Sequence, residues 1–416
     1  MTTTPFDFAP IIAKNLPGPA PQGWTGAYPP FNFTGGHSAP EEVPVQGLIE
    51  AATRALEKHG DKLATYMLDG GWLGHRPLRD FLVGKLKSSS AIECAADQIL
   101  LTSGSLQAID LVNKALLEPG DTVIMEEATY EGCLSRYQRA GVTPIGIPLD
   151  EGGMDMGKLK EALEDCRAKG VTPKYIYVIP TVQNPTASIM SLARRKELLG
   201  LAHEYGVPIF EDECYADLIW PNAAGKTERP PSLYALDKAK STIFIGSFSK
   251  SVAPALRVGY IVADWSALGQ MVSCKHDAGS GALEQMVLAE YCTENFDTHV
   301  AHLNGVLEER LDALTGALEQ YFGTAAEFDR PPGGIFLWIK LPSNVDTTKL
   351  AGLAAGAGVS INPGAGWSYK MQSATQYIRI CFASPKPEVI DAGVKKLAEI
   401  CHAEFGVPTR IANQEQ

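Results

Sequence analysis

Lys250 lies in the stretch "GSFSKSVAPALRVGY", flanked by Ser247, Ser249 and Ser251 and followed by the apolar run Val252-Ala253-Pro254-Ala255-Leu256. A lysine on a solvated face more often sits among other charges. Apolar surroundings lower an ammonium's pKa and make its amine more available as a nucleophile. Arg257 follows seven positions later, and with the serine hydroxyls it makes a set suited to holding an anion. The chemistry this spacing suggests is attack of an amine on a carbonyl beside a bound anion.

Other chemistry-bearing groups also follow short β-rich runs. In "LTSGSLQA", Thr102, Ser103, Gly104 and Ser105 lead into a helix. Small residues there let backbone N–H groups approach an anion, and the helix dipole favours negative charge. A hydroxyl and a glutamine at a helix start also read as a plain capping arrangement. "EEATYEG" places Tyr130 where a ring would lie over a ligand, and "IPTVQNPTAS" holds Asn184 before Pro185, which restricts its backbone. "VPIFEDECYADL" ends a strand in Glu211, Asp212 and Glu213, with Tyr215 close behind. Three adjacent acids suit a solvated turn, but strand alternation lets the middle one face inward while its neighbours point out. A ligand served by all these groups has a phosphate, a planar ring, a ring nitrogen that benefits from an acid, and a carbonyl. Pyridoxal phosphate fits that description.

The elements that must position these groups alternate. Between about Asp97 and Val262, "QILLTSGS", "DTVIMEE", "TPIGIPL", "KYIYVIP", "VPIFEDE", "STIFIGSFS" and "VGYIVAD" read as strands. "LQAIDLVNKALLE", "KLKEALEDCRAKG" and "LARRKELLGLAHEYG" read as helices between them. Such alternation predicts an α/β fold with a mostly parallel sheet covered on both faces, whose ligands bind beyond the carboxyl ends of the strands. From Val45 the spacing is helical. After Gly281 come helical runs over "ALEQMVLAEYCTENF" and "HVAHLNGVLEERLDALTGALEQYFG", then the strands "GGIFLWIKL" and "QYIRICFA" and closing helices. We therefore expect an N-terminal arm over 1–45, a large α/β domain over 46–295 and a small α+β domain over 296–416 that packs with the N-terminal segment.

Composition narrows the partners. The chain has 416 residues, 45% hydrophobic and 20% charged, with a net charge of −12, which disfavours nucleic acid by like-charge repulsion. The amino terminus has no basic start followed by a long apolar segment, and no run reaches the roughly eighteen apolar residues a membrane-spanning helix needs. The eight cysteines are scattered from Cys94 to Cys401 without a Cys-x-x-Cys pair. That pattern predicts reduced thiols in a cytoplasmic protein and no zinc site. His299 and His302 could share a helix face, and both are expected to be solvated and not to bind metal. "GKT" at 225–227 resembles a nucleotide-binding loop, but Trp220 stands where that motif needs glycine; it reads as a loop.

The ordered set "NPT", "EDECY" and "SFSKSVAPALRVGY" resembles the class I/II aminotransferases of the fold-type I pyridoxal-phosphate enzymes, nearest the branch with 2-aminoadipate and kynurenine aminotransferases. The resemblance runs from "FTGGHSAPE" to "YIRICFA". It implies a large domain with a mostly parallel seven-stranded sheet plus the smaller α+β domain. It implies that Lys250 forms a Schiff base with pyridoxal 5′-phosphate and later moves protons, and that Asp212 keeps the pyridine nitrogen protonated. Asn184 and Tyr215 would hydrogen-bond the ring hydroxyl, and Tyr130 would stack on the ring. Ser105, Ser247, Ser249 and Arg257 would hold the phosphate. Arg379 in "YIRICFA" would grip the substrate carboxylate; its bland reading is a surface arginine. Tyr66 would reach the partner's phosphate, implying a homodimer with shared sites. The reaction implied moves an amino group from an L-amino acid to a 2-oxo acid.

Three departures stand out. The substrate-facing arm reads "GGHSAPE", placing Gly36 and His37 where relatives usually have an aliphatic residue after the glycines. "YMLDGGWLGHRPLR" is longer than usual. Leu106 replaces a common glutamine, but its backbone N–H can still serve the phosphate. A rival chemistry with the same cofactor is elimination, replacement or ring closure at Cβ or Cγ, on a substrate such as an S-adenosylmethionine-like one. A transcription regulator carrying this domain is disfavoured by the acidic charge and by the short segment before "FNFTGG".

Overall fold

A computed structural model of the chain describes residues 6–13, 16, 28–68, 71–221, 229–371 and 374–409. The "GKT" segment and the first four residues of "WTGAYPPFNF", 24–27, lie outside the described residues.

All seven β-rich runs enter one sheet, in the order Ile99–Thr102, Gly259–Val262, Thr242–Ser247, Ile209–Asp212, Ile176–Val178, Thr122–Glu126, Thr143–Ile147. Only Gly259–Val262 runs antiparallel to its neighbours. Both faces are apolar, so side chains alternate between two buried layers. Leu100, Tyr177, Phe210 and Ile245 pack with the Gly104–Leu116, Glu131–Ala140 and Trp265–Cys274 helices. Ile176, Val178 and Ile209 pack on the other side with Met156–Ala168 and Leu192–Tyr205. Asp155 and Ser191 cap these last two helices by accepting hydrogen bonds from Lys158 N and Arg194 N.

The register lines up the strand ends. Gly259 sits opposite both Thr102 and Ser247, and Asp212 opposite Ile245. Asp212 and the segments that follow Thr102 and Ser247, which carry Ser105 and Lys250, therefore stand at the same end of the strands.

A second sheet, Phe336–Lys340, Tyr377–Cys381 and Asn362–Pro363, is antiparallel and backed by Pro387–Phe405. Phe31–Asn32 pairs in parallel with Val359–Ser360, tying the N-terminal arm to this region. The two helical runs expected after Gly281 are one 40-residue helix, Ala282–Tyr321. Its first half packs with the sheet-side core (Met286 to Phe296) and its second half with the other core (Leu303 to Tyr321). The 295/296 boundary thus falls inside a continuous helix. Of the two histidines on that helix, only His299 departs from the solvated position expected. His299 is buried at 9% exposure, edge-on to the Tyr291 ring, while exposed His302 pairs with Glu42 at 3.0 Å.

Gly259 has no room for a side chain. A Cβ there would lie 2.7 Å from Gly104 C and Ser105 N, so the sheet and the start of the Gly104–Leu116 helix are in backbone contact. Gly259→Ala is expected to destabilise the fold by about 1–3 kcal/mol, the usual cost of overpacking. Chemical unfolding of the variant against the parent protein measures this.

Candidate active site

Lys250 leaves the end of the Thr242–Ser247 strand and is half-buried, its Nζ donating to Gly36 O. Burial pushes its pKa down. The ammonium lies 5.7 Å from the centre of the Tyr215 ring. Tyr215 Oη accepts from Asn184 Nδ2 at 3.3 Å, and Asn184 Oδ1 accepts from Arg379 Nη1 at 3.2 Å. Arg379 Nη2 donates to Thr34 O at 3.3 Å. One continuous set of contacts thus joins Lys250, Tyr215, Asn184, Arg379 and the arm at Thr34 and Gly36. His37 lies beside it, its Nδ1 2.9 Å from Ser38 O.

Arg379 is not the surface arginine of the bland reading. It is 3% exposed, on Tyr377–Cys381, and its guanidinium stacks on Trp367 at 3.7 Å. Its Nε has no hydrogen-bond partner among the described residues. A buried guanidinium with an unused N–H is costly unless an anion arrives. Tyr130 lies against the other end of this aromatic cluster, 6.2 Å from Trp367 between ring centres.

A second constellation forms at the neighbouring strand ends. Ser249 N donates to Ser247 Oγ at 3.1 Å, and Arg257 Nη1 donates to Ser249 Oγ at 3.4 Å. Arg257 also donates to Ser103 O at 3.2 Å. Gly104 adopts φ +77°, and a Cβ there would strike the Arg257 guanidinium. The capping reading of "SGSLQ" is half right: Gln107 Oε1 accepts from Ser103 N at 2.7 Å, but Ser103's side chain makes no cap. Ser105 and Leu106 sit in the first turn, where backbone N–H groups have no acceptor within the helix. Arginine, serine hydroxyls and first-turn amides make a cradle that fits a phosphate.

The three adjacent acids depart from expectation. Asp212 does face inward, but Glu211 and Glu213 do not point into solvent; they are 0% and 4% exposed. Fully buried Arg195 explains this, lying 3.7 Å from Glu211 and 3.4 Å from Glu213. Glu211 also accepts from Leu233 N and Tyr234 N, and Glu213 from Thr181 Oγ1 and Arg229. Asp212 has no Lys or Arg within ion-pair distance among the described residues. Tyr177 Oη donates to its Oδ2 at 2.8 Å and Cys214 N to its Oδ1 at 3.2 Å, while burial pushes its pKa up. An inward carboxylate without a protein cation fits a ligand that brings a positive charge. Tyr66 is 79% exposed.

Sequence reasoning missed several contributors. Trp367, Thr34, Tyr177 and Gln183 carry no local motif. Gln183 binds Glu126 Oε2 and Ala128 O through Nε2, joining the loop before Tyr130 to the loop holding Asn184. Arg195, 0% exposed, lies in the helical stretch "LARRKELLGLAHEYG", where nothing in the spacing singles it out.

The fold and this paired arrangement of lysine, inward acid and phosphate cradle define a pyridoxal-phosphate enzyme. A family model described as aminotransferase class I and II matches residues 39–397. An aromatic-amino-acid aminotransferase from Thermococcus litoralis is 32% identical over 90% of this chain and 88% of its own length. A 2-aminoadipate transaminase from Thermus thermophilus is 32% identical over 88% of this chain and 89% of its own. Among solved structures, a multiple substrate aminotransferase from Thermococcus profundus superposes with a TM-score of 0.86 at 30% identity, covering 96% of this chain and all of that one (100%). An α-aminoadipate aminotransferase from Thermus thermophilus, complexed with N-(5′-phosphopyridoxyl)-L-leucine, gives 0.81 at 31% identity, covering 90% and 92%. The chain belongs to the class I and II aminotransferases. It is a pyridoxal-phosphate-dependent enzyme of amino-group transfer, acting on amino acids and 2-oxo acids.

Glu126 supplies a pH signature. Burial, ahead of all other causes, pushes its pKa from 4.5 up to about 8. The folded chain therefore keeps a proton that the unfolded chain releases. This group's contribution is unpenalised below the unfolded value and turns unfavourable as pH rises toward the folded one. Glu126→Gln should remove that slope, about 1.4 kcal/mol per pH unit. The variant is expected to gain stability relative to the parent as pH rises through this window, measured by denaturant unfolding at several pH values.

Proposed function

We propose that this aminotransferase works through the residues assembled above, with Lys250 as the covalent and proton-moving group. The single observation that carries this is the contact chain from Lys250 through Tyr215 and Asn184 to Arg379, which links an amine to a guanidinium suited to a carboxylate. Ser105, Leu106, Ser247, Ser249 and Arg257 hold the cofactor phosphate. Asp212 faces the ring nitrogen, Asn184 and Tyr215 face the ring hydroxyl, and Tyr130 covers the ring. Bound there, pyridoxal phosphate supplies an electron sink that acidifies the substrate's Cα proton.

The protein's own groups do the rest. Burial lowers the pKa of Lys250, so more of its amine is free to take and return that proton. Arg379 binds the substrate carboxylate through its unused Nε–H and a neighbouring N–H. Its stack on Trp367 and its bond to Asn184 fix the plane of the fork before substrate arrives. Gly36 and His37 border the substrate side chain.

Tyr66, exposed in the single chain, reaches the partner's phosphate in a homodimer with shared sites. The acidic charge argues against nucleic-acid partners. No helix among the described residues is long and apolar enough to cross a membrane, and the free thiols support a reducing, cytoplasmic setting. The two cores sharing the Ala282–Tyr321 helix support an arm over 1–45, a large domain over 46–295 and a small one over 296–416.

Borohydride reduction followed by peptide mass spectrometry is expected to place the cofactor label on Lys250. Lys250→Ala should lose the label and the visible absorbance band; a retained band would mean that another lysine holds the cofactor. Addition of an amino donor without acceptor should change the bound cofactor's absorbance. If no donor does so, amino-group transfer at this site is refuted. Arg379→Lys should raise KM for amino donors about tenfold to a hundredfold, because a point charge replaces a fork. Cofactor affinity, measured by equilibrium dialysis, should stay unchanged.

A further inference from the structure

Tyr177 belongs to no motif, yet among the described residues it is the one side chain with an oxygen–oxygen hydrogen bond to Asp212. It lies on Ile176–Val178, opposite Phe210 in the neighbouring strand, so it shares a sheet face with Phe210 and Asp212. It is fully buried, and its ring is fixed edge-on against Phe210 at 5.3 Å and 66°. The phenol cannot swing away. Its Oη is 2.8 Å from Asp212 Oδ2, while Oδ1 is held separately by Cys214 N. Each carboxylate oxygen thus has its own donor.

We propose that Tyr177 is a positioning residue that keeps Asp212 an oriented anion facing the cofactor's ring nitrogen. This rests on the reading that Asp212 occupies that place.

The surroundings show why a donor is needed. Asp212 is enclosed, and no Lys or Arg pairs with it among the described residues. The titratable groups that face it are Glu126, which burial keeps protonated, Glu213, and Cys133, Tyr130, Tyr137, Cys214 and Tyr215. Glu213 is neutralised by Arg195 and Arg229. The Cys214 thiol adds a donor to Asp212 and also meets Ser105, linking the inward acid to the phosphate cradle. With Tyr177 reduced to a phenyl ring, Oδ2 loses its phenol donor, and the proton shared with the ring nitrogen moves toward the carboxylate. A tyrosine present only to fill the core would be replaced by phenylalanine at no cost to the site.

Tyr177→Phe therefore tests the assignment, in the full-length enzyme. Cofactor affinity is expected to fall about tenfold or more, the worth of a hydrogen bond to a charged group. The midpoint of the bound cofactor's pH-dependent absorbance should move, and kcat should fall with KM for the donor unchanged. In an Asp212→Asn background the same substitution should have no further effect. Unchanged affinity and an unmoved midpoint overturn the proposal; so does an equal loss in the Asp212→Asn background, which would mean packing alone. If Asp212→Asn by itself leaves affinity and midpoint unchanged, the placement of Asp212 at the ring nitrogen fails first. Should Tyr177→Phe not fold, 3-fluorotyrosine at position 177 keeps the shape and strengthens the donor. The absorbance midpoint must then move in the opposite direction to that expected for loss of the donor, and an unmoved one overturns the assignment.

Discussion

A carboxylate buried without a protein cation is the constraint on which the rest of this structure turns. Taking an isolated charge out of water costs far more than a single hydrogen bond returns. Asp212 is nevertheless enclosed at the end of a central strand, with a phenol and a backbone amide as donors. Two acids beside it would make matters worse if they were unpaired. Arg195, inserted from the Leu192–Tyr205 helix, and Arg229 neutralise them. The imbalance that remains is local and equals one negative charge, which a protonated ring would satisfy.

The same logic governs the cationic side. Arg379 is buried with an unused N–H and holds its plane by stacking on Trp367 and bonding to Asn184 and Thr34 O. Lys250 is desolvated, and its amine rests on the Gly36 carbonyl. Arg379 Nε has no hydrogen-bond partner among the described residues. Preorganisation of this kind places the cost of burying charge in folding, so binding need not reorganise the site. The sheet register makes it feasible, because Thr102, Gly259 and Ser247 stand level and their loops emerge together.

Ala282–Tyr321 couples the two cores. A single stiff helix has one half in each, so its axis fixes how the Arg379 sheet sits over the Lys250 loop. Phe31–Asn32, paired to Val359–Ser360, brings Thr34 and Gly36 across the same opening. The arm is therefore part of the site wall.

Much of this was legible in the residues. Seven β-rich runs, period and spacing named every strand of the main sheet, since a strand buried on both faces must be continuously apolar. Lys250, Asp212, Asn184, Tyr215 and Arg257 stood out because they follow strands directly, where an open α/β sheet places its ligands. Helix Glu131–Ala140 was harder to see, with Cys133 and Tyr137 its only fully buried side chains. Burial of Glu211, Glu213 and His299 was not legible either, because a solvated acid or histidine and a paired one are written with the same letter. Arg195, Trp367, Tyr177 and Gln183 lie on elements remote in sequence from the groups they hold, and only the folded chain sets them within hydrogen-bonding or stacking distance. The sequence by itself determined which chemistry is present, since reactive side chains and strand ends are local properties. Tertiary structure alone decided which charges are paired and which are left waiting, since that balance depends on neighbours the chain order does not name.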